Sequence, residues 1–334
     1  MKKTTYIILL IVQLFAIFIP TNNCLANAAQ PGVWNAGGTV FTMLYPEDSS
    51  TFKKVQMVEE SIYIQLYKGY AVVKGVYQFS NTSSDSLHFK MGYPINGIYS
   101  GGEILLNQVQ IDELSAFKIK INKDWISVME KPIEAYGNIT NISNNWKIWE
   151  ISFPPKQSNE VVVYFIVNTN DGVIRKGYQS EKYNAFIYLL ESGSVWKNPI
   201  EKGNFHIHLM DGLTKNDIKG LSNGFNFNYH NAKNTLMGEK KNFSPTPKDN
   251  LVVTYSQRIT DFKFSTVVIQ SEYLFSIIDN WSKQAIENDS YQPVTFPSPY
   301  TISKGNSIFT VTIISLGIIV SLILLLIFFR KKRT

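Results

Sequence analysis

An all-β fold is the class this sequence predicts: an antiparallel β-sandwich-like region, as one large or two smaller sandwiches, followed by one C-terminal transmembrane helix. Three observations predict it. Apolar–polar alternation at period two recurs from residue 61 to residue 259, broken by Gly, Pro, Asn and Asp. One stretch alone between the two apolar ends has helical spacing. Residues 307–329 form an apolar run of 23 residues without charge or proline.

The N-terminal end comes first. Lys2 and Lys3 precede an apolar run over 6–19, interrupted by Gln13, and Ala26-Asn27-Ala28 follows. A basic start, an apolar centre and an A-x-A site describe a secretory signal peptide over 1–28. The apolar run is shorter than the roughly 20 residues that span a bilayer. An uncleaved anchor is the competing reading. Lipidation at Cys24 is disfavoured by the polar Thr21-Asn22-Asn23 before it.

The other end carries the membrane signal. A run of this length crosses the hydrocarbon core with some tilt. Arg330-Lys331-Lys332-Arg333 follows at once. A charge in mid-bilayer costs several kcal/mol, so this cluster marks the return to water, and the positive-inside rule places it in the cytoplasm. The expected product is a single-pass type I membrane protein, with residues 29–306 outside the cell membrane and 330–334 as a cytoplasmic basic tail. A buried core helix is the competing reading of 307–329. Gly317 and Ser321 form a small-xxx-small pair of the kind that packs helices together.

Charge supports this layout. The chain is +6 overall, with 32 Lys and Arg against 26 Asp and Glu. Two of the cations lie in the leader and four in the tail, so the intervening region is neutral. The basic balance reports topology, and no basic stripe points to nucleic acid. Cys24 is the one cysteine and precedes the cleavage site. The mature region therefore has no intrachain disulfide, no Cys-ligated zinc and no cysteine nucleophile.

Along the ectodomain, 61–67 alternates with Ile62, Ile64 and Leu66 on one face, Lys68-Gly69 turns the chain, and 70–79 returns. A polar loop over 81–86 leads to a third strand, 87–93, stopped by Pro94. These three read as an antiparallel meander. Further strands are expected at 104–111, 116–121, 125–130, 146–153, 161–168, 184–190, 205–210, 224–229 and 251–259. The polar turn 168–172 divides an N-terminal β region, 29–170, from a second, 171–262. Residues 240–250 read as a loop holding Pro245 and Pro247. Within 263–290, Leu274, Ile277, Ile278, Trp281 and Ala285 recur at 3-4-3-4 spacing, the pattern of a helix docked on the β region. An interfacial membrane helix is the alternative. Residues 291–306, with Pro293, Pro297 and Pro299, read as an extended spacer.

Chemistry is sparse. His206 and His208 share one face of a strand, but a metal site needs a third ligand, and His88 and His230 are distant in sequence. Glu191-Ser192-Gly193-Ser194 lacks the setting of a nucleophile elbow. Glu59-Glu60 and Asp112-Glu113 are adjacent pairs, whose members point to opposite faces of a strand and form no acid–base dyad. Trp146 and Trp149 likewise face opposite sides. Six Trp, 18 Tyr and 21 Phe supply packing material or a binding face. Asn81, Asn138, Asn141, Asn242, Asn280 and Asn288 begin N-x-Ser/Thr sequons, which mark surface loops if the host glycosylates. No catalytic, cofactor-binding or metal residues are assigned.

Two stretches carry a family likeness. The first is Asn35-Ala36-Gly37-Gly38, then Met57-Val58-Glu59-Glu60-Ser61-Ile62, Tyr77-Gln78-Phe79-Ser80-Asn81 and Gly92-Tyr93-Pro94-Ile95. The second is Tyr188-Leu189-Leu190-Glu191-Ser192-Gly193 with Trp196-Lys197-Asn198-Pro199-Ile200. They resemble an uncharacterised bacterial family of secreted β-rich proteins, a domain of unknown function. The resemblance implies an exported β fold and no established activity. Read physically, its Gly and Pro positions are turn sites, and Trp196 is a core anchor beside a turn.

The expected function is a non-catalytic binding or scaffolding module of a bacterial cell envelope, anchored through 307–329 and presenting a β surface to a partner protein or envelope polymer. Two alternatives stand beside it: an envelope glycan hydrolase drawing carboxylates from separate strands, and an accessory subunit of a membrane export or transport complex.

Overall fold

The computed structural model describes residues 32–40, 43–44, 49–94, 97–99, 109–111, 114–132, 145–176, 179–222, 224–284 and 291–302, with Ser315 and Ile319. The signal peptide and, apart from those last two residues, the 307–329 run lie outside the described residues. Among the described residues no helix is long and apolar enough to cross a membrane.

The chain is mostly β, in several sheets. Its first strands are β1 (Gly32–Val40), β2 (Met43–Leu44), β3 (Val55–Tyr67), β4 (Tyr70–Asn81), β5 (Leu87–Pro94), β6 (Gly97–Tyr99) and β7 (Val109–Ile111). Next come β8 (Leu114–Ile121), β9 (Asp124–Ile126), β10 (Met129–Pro132), β11 (Asn145–Phe153), β12 (Ser158–Asn168), β13 (Val173–Lys176) and β14 (Gln179–Leu189). The last are β15 (Ile200–Leu209), β16 (Ile218–Leu221), β17 (Phe227–His230), β18 (Thr235–Phe243), β19 (Leu251–Gln257) and β20 (Gln292–Pro293). The helices are α1 (Ser49–Phe52), α2 (Phe264–Val268) and α3 (Ser271–Ser282).

Three sheets result. A nine-stranded sheet runs β20-β17-β18-β15-β3-β4-β12-β8-β9, a seven-stranded sheet β16-β19-β14-β13-β1-β7-β6, and a four-stranded sheet β10-β11-β5-β2. Pairing is mainly antiparallel, but β15 lies parallel to β3, and β1 lies parallel to both β14 and β7. The purely antiparallel expectation is corrected to that extent.

The β3–β4 hairpin forms as its alternation predicts. Gly69 turns it at φ +97°, a conformation L side chains resist, and a Cβ there would sit 2.7 Å from the Phe262 ring. The expected meander, however, breaks after β4. β5 joins β11 and β2 in the four-stranded sheet, and β12 takes the place beside β4. The reason lies in the two segments. Val161-Val162-Val163-Tyr164-Phe165-Ile166-Val167 is apolar on both faces and needs cover on both. Asn81, buried at the end of β4, meanwhile donates to the backbone carbonyls of Asp85, Phe153 and Pro154 and so turns the chain out of the sheet. Asn81 is thus a buried structural residue and no surface sequon. Phe243 ends β18, so residues 240–243 belong to a strand and the expected loop shrinks to 244–250.

One core joins the three sheets. Ile62, Ile64, Phe79, Phe165 and Phe205 of the nine-stranded sheet meet Tyr188, Val253 and Tyr255 of the seven-stranded sheet and Trp149 and Phe153 of the four-stranded sheet. The 168–172 turn only carries the chain from β12 to β13. Thr169 is buried there and bonds the Tyr255 hydroxyl at 2.7 Å. Residues on both sides of the turn share the same core. Trp196 is buried against Phe52 and Phe79, the anchor its place beside a turn suggested.

The stretch expected as a spacer is docked over 291–302. β20 pairs with β17, the Val294 and Leu221 amides donate to Phe227 and Pro297, and Tyr300 is buried against Val252 and Ile187. Gly220 permits this approach, since a Cβ would lie 2.4 Å from Pro299. Residues 303–306 lie outside the described residues.

The outer face of the nine-stranded sheet is covered by α3 over β3, β4 and β12. Leu274, Phe275 and Ile278 bury against Val72, Val162, Tyr164 and Ile166, contributing about 2 kcal/mol each. An ionic clasp reinforces the seat. Lys74, inside the sheet, donates to Asp279 at 2.7 Å and Ser282 at 2.8 Å, and the Tyr164 hydroxyl donates to Asp279 at 2.8 Å. Burial alone would raise the Asp279 pKa; hydrogen bonds from Lys283, Lys74 and Tyr164 and the Lys74 charge hold it far below the carboxylate range. Asp279→Ala leaves the buried Lys74 ammonium without its counter-ion. It should cost on the order of 2–4 kcal/mol in urea unfolding. A loss under about 1 kcal/mol, as for an exposed pair, would contradict the clasp.

Candidate functional site

The site is built on the β8–β9 hairpin at one edge of the nine-stranded sheet. Its turn residues, Asn122 and Lys123, have φ of 50° and 81°, both left-handed as a two-residue hairpin turn of this hand requires. Asn122 then pins the turn to β12: its Nδ2 donates to Asn159 at 2.9 Å, and its Oδ1 accepts from the Glu160 amide at 2.9 Å. Register places Trp125 opposite Lys120. Lys118 is two residues from Lys120 and shares its face.

Trp125 is 56% exposed. The Lys120 ammonium stands 4.3 Å from its centroid and the Lys118 ammonium 5.1 Å. Tyr164 lies behind, 6.0 Å from Trp125 and 5.6 Å from the Lys120 ammonium. Cation–π contacts at exposed sites are worth about 0.5–1 kcal/mol each, enough to restrict the ring without burying it. Lys118 also pairs with Glu272 of α3.

A cleft of 480 Å³ opens here, with Phe117, Ile119, Ile126 and Val128 as apolar walls, Trp125 at its side, and Lys118 and Lys147 as its charged lining. Phe117 is fixed by stacking on Trp149 at 5.9 Å. A volume of this size suits a small ligand or one to two side chains of a larger one. No lining residue is acidic. The lining mixes polar and apolar surface, and it lacks the paired carboxylates that glycoside hydrolysis needs.

The residues weighed from sequence fall elsewhere. His206 and His208 do share a face of β15, beneath α3. His206 stacks on Tyr63 at 4.8 Å and His208 lies 5.0 Å from the Trp281 ring. Burial pushes the His206 pKa down to about 4, with Lys202 adding to the shift, and burial lowers His208 also. Both are neutral packing residues. His230 accepts from the Lys233 amide at 3.0 Å, and exposed His88 bonds Ser152 at 2.9 Å. No cluster of three His, Cys, Asp or Glu suited to a metal occurs among the described residues. Glu191 to Ser194 form a 3₁₀ turn. Asp112 and Glu113 lie outside the described residues. Trp149 is in the core; nothing is described of the Trp146 side chain.

Glu59 and Glu60 part as strand geometry dictates. Glu59 faces outward near Lys202 and accepts from Asn204 at 2.9 Å. Glu60 faces the core, in register with Tyr77 on β4 and with Gly203 on β15, which in turn opposes Lys240 on β18. It is fully buried, and neither carboxyl oxygen has a hydrogen-bond partner among the described residues. Burial pushes its pKa up to about 8, opposed in part by Lys240. Lys240 itself is paired with Asp249 and lies 4.7 Å from the Phe225 ring. Sealed in this way, Glu60 meets no substrate.

No protein-family model matches the chain, and no curated protein matches it. Solved structures offer distant likenesses. One is a protein described as nutrient-binding from Legionella pneumophila, at 16% identity and a TM-score of 0.47, covering 67% of this chain and 72% of that one. An M1 zinc metallopeptidase from Deinococcus radiodurans shows 7% identity and a TM-score of 0.31, over 60% of this chain and 42% of that one. Yeast LTA4 hydrolase in complex with bestatin shows 12% identity and a TM-score of 0.33, over 64% and 31%. At such scores neither a shared fold nor a shared activity follows.

Glu60 generates a pH prediction. Unfolded, it ionises near 4.5; folded, it holds its proton to about 8. Its contribution to stability is therefore complete below the unfolded value and is lost as pH rises through the folded one. Urea unfolding should show the wild type losing on the order of a few kcal/mol between about pH 5 and about pH 8, and Glu60→Gln losing much less. Equal losses in the two proteins would contradict this placement of Glu60.

Proposed function

We propose that this chain is a membrane-anchored extracytoplasmic protein with a β-sandwich-like ectodomain, acting as a non-catalytic binding module of the cell envelope. The signal peptide and the 307–329 run with its basic flank are the sequence basis for the anchor. The observation that carries the binding reading is the exposed Trp125, flanked by Lys118 and Lys120 beside a cleft of mixed polar and apolar lining. Exposed aromatic area held in place by its neighbours loses little conformational entropy on contact, which is why such residues anchor interfaces. α3 covers the outer face over β3, β4 and β12, and the β8–β9 hairpin beyond it presents Trp125 on that same face.

Two measurements test this reading. Alkaline carbonate should leave the full-length chain in the membrane fraction, and protease added to intact cells should cut within 29–306. Release by carbonate, or protection of that region, would overturn the anchor. A photo-reactive amino acid at position 125 should form an adduct in intact cells, whereas one at Tyr273, 65% exposed on α3, should not. No adduct at 125, or equal adducts at both positions, would overturn the binding reading.

A further inference from the structure

We infer that the docked 291–302 stretch holds the ectodomain down on the bilayer, with the outer face of the seven-stranded sheet toward the lipid headgroups and α3 and Trp125 toward the exterior. This rests on the anchor reading above and gives the anchored domain its orientation. Three observations carry it.

First, side-chain alternation fixes the order of the layers. On β14, Phe186 and Tyr188 enter the shared core, while Ala185, Ile187 and Leu189 face the other way and join Tyr300. On β12, Val163 and Phe165 enter that core, while Val162, Tyr164 and Ile166 meet α3. The stack therefore runs from the 300–302 segment through the seven-stranded sheet, the shared core and the nine-stranded sheet to α3. Trp125, against Tyr164, belongs to the α3 side. Sheets pack about 10 Å apart and a helix adds about 10–12 Å, so Ile302 and the outer side of α3 lie on the order of 30 Å apart. Second, the tether is short. Tyr300 is buried, Ile302 packs on the same cluster, and the apolar run begins at residue 307. The chain from 302 to 307 reaches at most about 17 Å when fully extended. With α3 against the lipid, Ile302 would stand about 30 Å from the surface, beyond that reach. Third, Val33, near the start of the region that follows the leader, lies in the same cluster as Tyr300. Both ends of the ectodomain therefore leave the fold at one face.

Fluorescence quenching in vesicles tests this directly. Cys24 is the one cysteine, so in a Cys24→Ser background a single introduced cysteine carries the only label. Gln179→Cys and Ser276→Cys place a fluorophore at two exposed positions. Gln179 shares its face of β14 with Tyr183 and Ile187, which pack with Tyr300 and Ile302, and Ser276 lies on α3. The full-length chain is reconstituted in phosphatidylcholine and phosphatidylglycerol vesicles that carry a nitroxide on the headgroup. The label at 179 should be quenched at least three times as much as the label at 276. Twenty Gly and Ser residues inserted after Gly305 should bring the two within a factor of 1.5 of each other, roughly the flexibility such a linker confers. Gly220→Ala, whose Cβ would meet Pro299 at 2.4 Å, should loosen the docked stretch and reduce the difference at least twofold. The insertion, which leaves the fold untouched, guards against misfolding as the cause. Equal quenching at the two positions, or more at 276, in a chain that resists carbonate would overturn the orientation and leave the anchor standing. A difference that survives the insertion would overturn the tether as its cause. Release of the chain by carbonate defeats both the anchor and the orientation.

Discussion

The constraint on which the structure depends is that one sheet must be buried on both faces. β12 is apolar at every position from Val161 to Val167, so neither side can meet water. Its odd residues enter the core shared with the other two sheets, and its even residues lie under α3. Each remaining element answers that demand. β14 and β19 close one side, the helix closes the other, and the 291–302 stretch seals the outer face of the seven-stranded sheet. The helix covers the centre of the outer face, and the β8–β9 hairpin is the part of that face left open beside it.

Polar groups follow the same geometry. Where the chain places a charge inside this assembly, it is clasped, as Lys74 is by Asp279, or held neutral, as Glu60 and the two histidines are. A buried ion without a partner costs several kcal/mol, so neutrality is the cheaper state. The arrangement of His206 and His208 then has a plain account: two imidazoles at metal-ligand spacing have been used as flat, half-polar packing surfaces for Tyr63 and Trp281. The lysines of the β8–β9 hairpin are different because water reaches them.

Much of this was legible in the residues. Period-two alternation located β3, β4, β11, β12 and β15, and 3-4 spacing located α3 and the buried Leu274 and Ile278, but not Phe275; Ile277 and Trp281 are half-buried, and Ala285 lies outside the described residues. The opposed directions of Glu59 and Glu60 followed from strand geometry alone. What was not legible was long-range. Nothing local in 87–93 says that it pairs with β11 instead of β4, because pairing is chosen by which strand most needs cover. The parallel neighbours of β1 and β3 are equally nonlocal. β18 was missed altogether, because only Leu236 and Met237 are apolar before the pattern gives way to Glu239-Lys240-Lys241, a run that a strand near the edge tolerates. Proline content made 291–302 look extended, which it is; its docking depends on Gly220, far away in sequence. The site was missed for a related reason. Phe117-Lys118-Ile119-Lys120-Ile121 and Trp125 carry the signal, but only a hairpin register turns an alternating lysine pair and a distant tryptophan into one surface.

Hydrogen exchange followed by mass spectrometry on the full-length chain tests the shared core most directly. If one core joins the sheets, the slowest amides of β3, β12, β14 and β19 open together, with a common free energy and a common dependence on denaturant. Exchange in which the strands after residue 172 open well before those ahead of it, as an independent unit, would contradict the account and restore two separately folded β regions.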